Sequence, residues 1–154
     1  MPYTYDYPRP ALTVDCVIFG RDESPALKVL VIERAQPPFQ GKWALPGGFV
    51  DENETVEQAA QRELEEETGL KQSSMKQLGV FSQPGRDPRG WVVSVAFYTL
   101  VNIRETDIRA GDDAAQAHWL EVSALQNREM AFDHQQILAQ ALSFIALSFI
   151  ELSE

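Results

Sequence analysis

A short helix between two glycines is the most strongly specified element of this 154-residue sequence. Thr55 and Gln58 have the spacing of a capping box, which predicts the first turn of a helix. Gly69 has the residue type that a left-handed helix stop favours. Between these signals, apolar side chains recur at helical spacing, at Val56, Ala59, Ala60 and Leu64. We therefore expect an amphipathic helix with one face in the core.

Glutamate occupies positions on that face where an ordinary helix would place leucine. The apolar stripe continues to Glu63 and Glu67, and Glu66 lies three residues from Glu63, so the three can converge. Clustered carboxylates repel, burial adds a desolvation cost, and the C-terminal end of a helix disfavours anions. Arg62 can neutralise one of these charges but not three. A divalent cation can serve all three, with Mg²⁺ expected and Mn²⁺ as an alternative. The competing interpretation is an acidic helix end exposed to solvent.

The segment 48–70 reads G-x5-E-x7-R-E-L-x-E-E-x-G-L. This pattern resembles the Nudix box at every defined position, namely Gly48, Glu54, Arg62, Glu63, Leu64, Glu66, Glu67, Gly69 and Leu70. The resemblance implies a Nudix fold of the α/β (α+β) class, with a mixed β-sheet between helices, in a single domain spanning 1–154. It also implies hydrolysis of the diphosphate bond of a nucleoside-diphosphate derivative.

The resemblance also implies roles for the box residues. The metal site would comprise Gly48, Glu63, Glu66 and Glu67, with glycine allowing the backbone to come close to the metal. Arg62 would orient a glutamate through a salt bridge, and Glu54 would support the loop or reach the metal through water. A metal-activated water would then attack phosphorus without a covalent protein intermediate.

Residues outside the box bear on the substrate. PGRDPRG (84–90) followed by WVVSVAFY resembles a segment of ADP-ribose pyrophosphatases, and WALPGGFV, AGDDAAQAHWL and AFDHQQIL are similar to the same subgroup. ADP-ribose is therefore the expected substrate, giving AMP and ribose 5-phosphate. The candidate substrate-binding residues are Arg34, Phe39, Arg86, Asp87 and Arg89.

Each of these candidates has a structural alternative. The arginines could belong to a turn held by salt bridges to Asp87, and Phe39 is equally well explained as a loop aromatic that covers the core. His134 is expected to make a local polar contact. A distal acid often assists such enzymes, and Asp113 is our candidate; Asp112 and Glu105 fit as well, and an ordinary turn would also explain the two aspartates.

The rest of the chain predicts a sheet and a second helix. Strands are predicted at 11–19, 26–33, 43–50 (broken by Gly47 and Gly48), 75–82, 91–103 and 118–122. The cap spacing of Asp133 and Gln136 predicts a helix that continues to about Leu152. Cys16 is expected to be a buried core thiol. The tyrosine- and proline-rich segment 1–10 is interpreted as an arm that could exchange between two subunits.

Charge and composition limit the partners. A net charge of −10 and a pI of about 4.6 disfavour nucleic acid and anionic membranes, leaving a small nucleotide substrate as the expected partner. The N-terminus lacks signal-peptide features and no stretch reaches membrane-spanning length, so the cytoplasm is expected. The apolar repeat at 141–150 leaves a homodimer contact open. The alternative functions are another Nudix hydrolase, acting on NDP-sugars or nucleoside triphosphates, and an ADP-ribose sensor. Sensors of this subgroup carry a winged-helix part, for which these 154 residues leave no room.

Overall fold

The computed structural model describes residues 2–72, 74–106, 108 and 117–153. Its strands are β1 (Ala11–Arg21), β2 (Lys28–Glu33), β3 (Trp43–Ala44), β4 (Gly47–Phe49), β5 (Lys76–Phe81), β6 (Val92–Asn102) and β7 (Ala117–Glu121). Its helices are α1 (Val56–Thr68), α2 (Val122–Leu125) and α3 (His134–Ser153), with a 3₁₀ turn at Ile103–Glu105. Elements of both kinds alternate along the chain, as predicted.

The strands form one mixed sheet in the order β3-β2-β1-β6-β5, with β4 paired to β1 and β7 to β2. The long strands β1 and β6 run parallel along their whole length, and the other pairs are antiparallel. On its other edge β1 changes partner, from β4 at Thr13–Asp15 to β2 at Phe19–Gly20. The sheet is therefore split beside the middle of β1.

Helices cover both faces of this sheet, which confirms the expected Nudix-type layering. Alternate residues of β1 point to opposite faces because side chains in a strand alternate. Val14, Cys16 and Ile18 pack with α1, and Val17 and Phe19 pack with α3. Cys16 is fully buried, as predicted, and burial raises the pKa of its thiol. Among the described residues, no helix is both long and apolar enough to cross a bilayer.

The predicted strand 43–50 is two strands, and the position of the break differs from the prediction. The interruption falls at Leu45 and Pro46, because proline has no N–H to donate to a strand partner. Gly47 and Gly48 are instead paired in β4 with β1. A Cβ atom at Gly47 would collide with the Val14 carbonyl oxygen, so the glycine permits a close strand approach rather than a break.

The start of the second strand and the partner of a predicted helix cap differ from the sequence prediction. The second strand begins at Lys28 rather than at residue 26. Helix α3 begins at His134, and the Asp133 carboxylate expected to cap it accepts both hydrogen bonds of the Arg86 guanidinium, at 2.8 and 2.7 Å. A long-range ion pair therefore engages a side chain that was assigned to a local cap.

The N-terminal arm folds against the loop that precedes α1. The Tyr3 hydroxyl donates to the Glu52 carboxylate at 2.6 Å, and the rings of Tyr3 and Tyr5 stack. Arg9 lies over the Tyr5 ring at 3.8 Å from its centroid. Subunit exchange through this arm stays a prediction.

Candidate active site

Helix α1 positions the glutamates because both of its ends are firmly set. The capping box is present: the Thr55 hydroxyl accepts from the Gln58 N–H, and the Gln58 side chain accepts from the Thr55 N–H. At the other end Gly69 adopts a left-handed conformation with φ of 78° and donates its N–H to the Glu65 carbonyl. Ala59, Ala60 and Leu64 are buried, as the apolar stripe predicts. The two caps and the buried face together determine how α1 is rotated about its own axis.

That rotation brings two of the box carboxylates together at the inner edge of α1. The charge of Glu63 acts on Glu67, and the Glu67 carboxylate accepts from the Gly47 N–H at 3.3 Å. Burial, followed by the charges of Glu63 and Asp15, raises the pKa of Glu67 to about 8, against the smaller opposing effect of the Gly47 N–H. The metal-free pair therefore keeps a proton near neutral pH.

Arg62 joins the remaining box residues on the outer side of the helix. Its guanidinium donates to Glu54 at 2.7 and 3.0 Å, to Glu63 at 2.8 Å and to Glu66 at 3.2 Å. It also donates to the Phe49 carbonyl at 3.0 Å, while Glu54 accepts from the Asp51 N–H at 2.9 Å. The hydrogen bond with Glu54 contributes most to raising the pKa of Arg62. Arg62 thus fixes Glu63 and braces the loop before α1.

Gly48 lies directly against this carboxylate pair. A Cβ atom at Gly48 would stand 2.6 Å from the Glu63 carboxylate, which is too close for any side chain. The glycine therefore lets the Glu63 carboxylate lie directly against strand β4. Any larger residue would displace Glu63 or the strand.

Two of the three box glutamates present oxygen donors of the kind that a divalent cation takes. Within the described ranges, no three acidic, histidine or cysteine side chains are gathered so that they could hold an ion, because Glu66 lies on the outer side with 59% of its side chain exposed. The Glu63–Glu67 pair nevertheless presents carboxylate oxygens that need either a proton or a cation, in a cradle that a Cβ would fill. Glu66 instead lies 3.2 Å from the Arg62 guanidinium. These residues fit a hard divalent ion.

A cavity of about 100 Å³ opens beside this pair, at the split in the sheet. Its polar lining is contributed by both strands and loops: Thr13, Asp15, Arg34, Glu67, Arg86, Asp87, Arg89 and His134. Its apolar and glycine lining comprises Ile32, Leu45, Gly47, Gly48, Phe49 and Phe132. The cavity thus brings Glu67 and three arginines into one lining.

The two arginines of the loop before β6 have different partners. Arg89 makes a two-point ion pair with the buried Asp87, at 3.0 and 2.7 Å. Burial raises the pKa of Asp87, but the hydrogen bonds and the charge of Arg89 outweigh this effect and keep the pKa below its ordinary value. Arg86 binds Asp133 instead and is 4% exposed. The alternative of a turn held by Asp87 is therefore confirmed for Arg89 and wrong for Arg86.

Aromatic rings form another wall of the cavity around Phe132. Its ring meets the Phe39 ring edge-on at 4.9 Å, and Arg34 and Arg89 lie 5.0 and 5.1 Å from its centroid. The Arg34 Nε donates to the Pro38 carbonyl at 2.7 Å. Burial, and then the charge of Arg89, lowers the pKa of Arg34. Phe39 therefore packs against a cavity wall, and Phe132 faces both arginines.

Asp15, His134 and Phe132 are site residues that the sequence analysis did not assign. Asp15 was included in an apolar strand, although a carboxylate within such a run was a usable signal. His134 does make a polar contact, but its partners are distant in the chain: Nδ1 accepts from the Leu45 N–H at 2.9 Å, and Nε2 lies 3.2 Å from Asp15. Burial would raise the pKa of Asp15, but His134, Ser94 and Arg86 outweigh it and lower the pKa.

The candidate distal acids cannot all be placed. Asp112 and Asp113 lie outside the described residues. Glu105 ends the 3₁₀ turn and borders a separate cavity with Leu70 and Asn102. The choice of a distal acid therefore stays a prediction.

Comparison with known proteins identifies the class. The NUDIX domain family model matches residues 9–141, so the chain belongs to the Nudix family. It is 44% identical over 132 residues to the ADP-ribose pyrophosphatase of Methanocaldococcus jannaschii, covering 86% of this chain and 73% of that protein. The ADPR responsive transcriptional repressor NtrR of Acinetobacter baylyi is 35% identical over 90% of this chain, which spans 55% of that protein. The NUDIX domain of Shewanella oneidensis NrtR, solved in complex with ADP ribose, matches with a TM-score of 0.80 and 34% identity, over 92% of this chain and 94% of that one.

Proposed function

We propose that this protein is a Mg²⁺-dependent hydrolase that converts ADP-ribose to AMP and ribose 5-phosphate. The observation that carries the proposal is the Glu63–Glu67 pair, held against Gly48 at a cavity whose other walls carry arginines. The proposal is supported by 44% identity to an ADP-ribose pyrophosphatase and by a similar Nudix domain that binds ADP ribose.

The box residues are assigned to hold and orient the metal site. Glu63, Glu66 and Glu67, together with the backbone at Gly48, would hold Mg²⁺, or Mn²⁺ in its place. A divalent ion held there would neutralise diphosphate charge and lower the pKa of a bound water. Arg62 keeps Glu63 in place through its hydrogen bond of 2.8 Å. Burial raises the pKa of Glu67 to about 8, and Glu67 would have to give up its proton to serve as a cation ligand. Glu54 acts through Arg62 and the loop, and Asp113 is retained as the candidate distal acid.

The cavity arginines are assigned to the substrate. Within the described part of the chain, Arg34 has no carboxylate at ion-pair distance, so its charge is available to a phosphate oxygen. Arg89 exposes 38% of its side chain beside Asp87 and can bind the same anion or a ribose hydroxyl. Arg86 is neutralised by Asp133 and shapes the floor of the cavity. Phe39 supports the aromatic wall against which an adenine could lie.

A substrate panel with product identification tests the proposal. ADP-ribose, a second NDP-sugar and a nucleoside triphosphate are incubated with the full chain and Mg²⁺, and products are quantified by chromatography. We expect the highest kcat/KM for ADP-ribose, with AMP and ribose 5-phosphate formed in equal amounts. Reaction in ¹⁸O-labelled water identifies the phosphorus attacked. No turnover of ADP-ribose with Mg²⁺ or Mn²⁺ would refute the assignment.

An ADP-ribose-binding module is the second candidate function. It is favoured by the similarity to a repressor responsive to ADPR and to a Nudix domain solved with ADP ribose. Calorimetric binding of ADP-ribose in Mg²⁺ without product formation would favour this module over the enzyme. DNA is not the expected partner at a net charge of −10.

We also propose a cytoplasmic location and a homodimer. Residues 1–10 and α3 are the surfaces assigned to the dimer contact. Light scattering on the full chain and on a chain lacking residues 1–10 measures the dimer directly. Equal masses, both of a monomer, would contradict it.

A further inference from the structure

A buried imidazole lies at the break between β3 and β4. Leu45 belongs to neither strand and is 2% exposed, so its N–H needs an acceptor within the protein. His134 is the first residue of α3, and its Nδ1 atom accepts a hydrogen bond from the Leu45 N–H at 2.9 Å. His134 is itself 4% exposed. The side chain thus replaces the strand partner that is missing at the interruption.

The second ring nitrogen lies beside a carboxylate. Because Nδ1 accepts a hydrogen bond, we expect the ring proton on Nε2, which lies 3.2 Å from an Asp15 oxygen. The other Asp15 oxygen accepts from the Ser94 hydroxyl at 2.6 Å. Rotation of the ring would therefore leave the buried Leu45 N–H without its acceptor.

Both partners of the imidazole flank Gly47. Leu45 precedes it by two residues, and Asp15 is its cross-strand neighbour. A Cβ atom at Gly47 would stand 2.8 Å from the same Asp15 oxygen, Oδ1. The Gly47 N–H donates to the Glu67 carboxylate at 3.3 Å. An unbroken set of contacts therefore runs from His134 to the carboxylate pair.

We propose that His134 is a positioning residue: by holding the Leu45 N–H it fixes the start of β4, so that Gly47 orients Glu67 for binding a divalent cation. The proposal rests on the proposed function in one respect, namely that Glu67 is a cation ligand. It assigns His134 no contact with substrate. Outer partners that orient a ligand typically change metal affinity or activity about 10- to 100-fold when removed.

Two substitutions separate the two nitrogens. In His134→Asn the amide oxygen can take the place of Nδ1 and accept from Leu45, but the side chain is too short to reach Asp15. In His134→Gln the longer amide can reach Asp15 but leaves no acceptor at the place of Nδ1. We expect His134→Asn to keep Mn²⁺ affinity and kcat within about threefold of wild type. We expect His134→Gln to lose about tenfold or more in both, with KM for ADP-ribose less affected.

The assay reads metal binding separately from turnover. Free Mn²⁺ is titrated with the full chain and measured by its electron paramagnetic resonance signal, without substrate. Thermal unfolding verifies that each variant is folded. His118 supplies the control, because it packs edge-on to Trp43 with the ring centroids 5.3 Å apart and is not among the residues that line the cavity. His118→Asn and His118→Gln should leave Mn²⁺ affinity unchanged.

The outcomes are distinct. Wild-type Mn²⁺ affinity in His134→Gln, or equal losses in the Asn and Gln variants, would overturn the proposal. Failure of wild type to hydrolyse ADP-ribose would refute the proposed function but leave the Mn²⁺ comparison valid. If His134→Gln does not fold, the ¹⁵N spectrum of the wild-type imidazole decides. A proton on Nε2 alone supports the assignment, and a protonated Nδ1 overturns it.

Discussion

Replacing Glu67 by glutamine should stabilise the metal-free protein while removing its response to Mg²⁺. The pKa of Glu67 is raised from an ordinary value of 4.5 to about 8, chiefly by burial. Between these two pH values the unfolded chain has lost this proton and the folded chain still holds it. The stability present at low pH is therefore lost progressively as the pH rises from about 4.5 to about 8.

The magnitude follows from that interval. At about pH 7.5 the cost to folding is about 4 kcal/mol, for roughly three pH units at about 1.4 kcal/mol each. Glu67 is only partly buried, so solvent screens much of this, and we expect about 2 kcal/mol. A glutamine amide can reproduce the protonated acid, accepting from Gly47 and donating to Glu63. Glu67→Gln should therefore raise Tm by about 4–8 °C in EDTA at this pH.

Magnesium should reverse the order of stability. A ligand that binds only the folded state stabilises it by RT ln(1 + [L]/Kd), so about 10 mM Mg²⁺ should raise Tm of the wild type and not of Glu67→Gln. Differential scanning calorimetry at about pH 5, 7.5 and 8.5, with EDTA and with Mg²⁺, measures both effects. The matched control is Glu65→Gln on the same helix. The Glu65 side chain is 53% exposed and lies 3.8 Å from Lys71. This substitution should change the free energy of unfolding by less than about 0.5 kcal/mol. The reasoning fails if Glu67→Gln is no more stable than wild type in EDTA at pH 7.5.

Three further substitutions test the site. Gly48→Ala places a Cβ atom 2.6 Å from the Glu63 carboxylate. It should lower kcat about 10- to 100-fold and lower Mn²⁺ affinity in parallel, and an unchanged Mn²⁺ affinity would contradict this prediction. Arg62→Lys loses the planar fork that binds Glu54 and Glu63 together and should lower kcat about tenfold or more, measured with saturating ADP-ribose; a wild-type kcat would remove Arg62 from this role. Arg34→Gln removes a cation from the cavity wall and should raise KM about tenfold with a smaller change in kcat, in steady-state assays; a loss confined to kcat would argue against a binding role.

Helix α1 and its apolar face were predictable because the relevant interactions are local. The capping box spans four residues, and the helical period carries the apolar stripe directly into Glu63. The Arg62–Glu66 pair is likewise one helical turn long. Short-range geometry of this kind depends on residue type and spacing alone, which is why the caps and the core face of the helix were predicted correctly.

The walls of the cavity depend instead on contacts between distant parts of the chain. Leu45 and His134 are 89 positions apart, and Ser94 and Asp15 are 79 apart. Nothing in the local sequence pairs them, because such contacts follow from the sheet order and from where β1 exchanges one partner strand for another. The same long-range packing engaged Asp133 with Arg86 rather than with its own helix. Local spacing thus specified the acidic helix, and the assembled sheet selected the side chains that surround it.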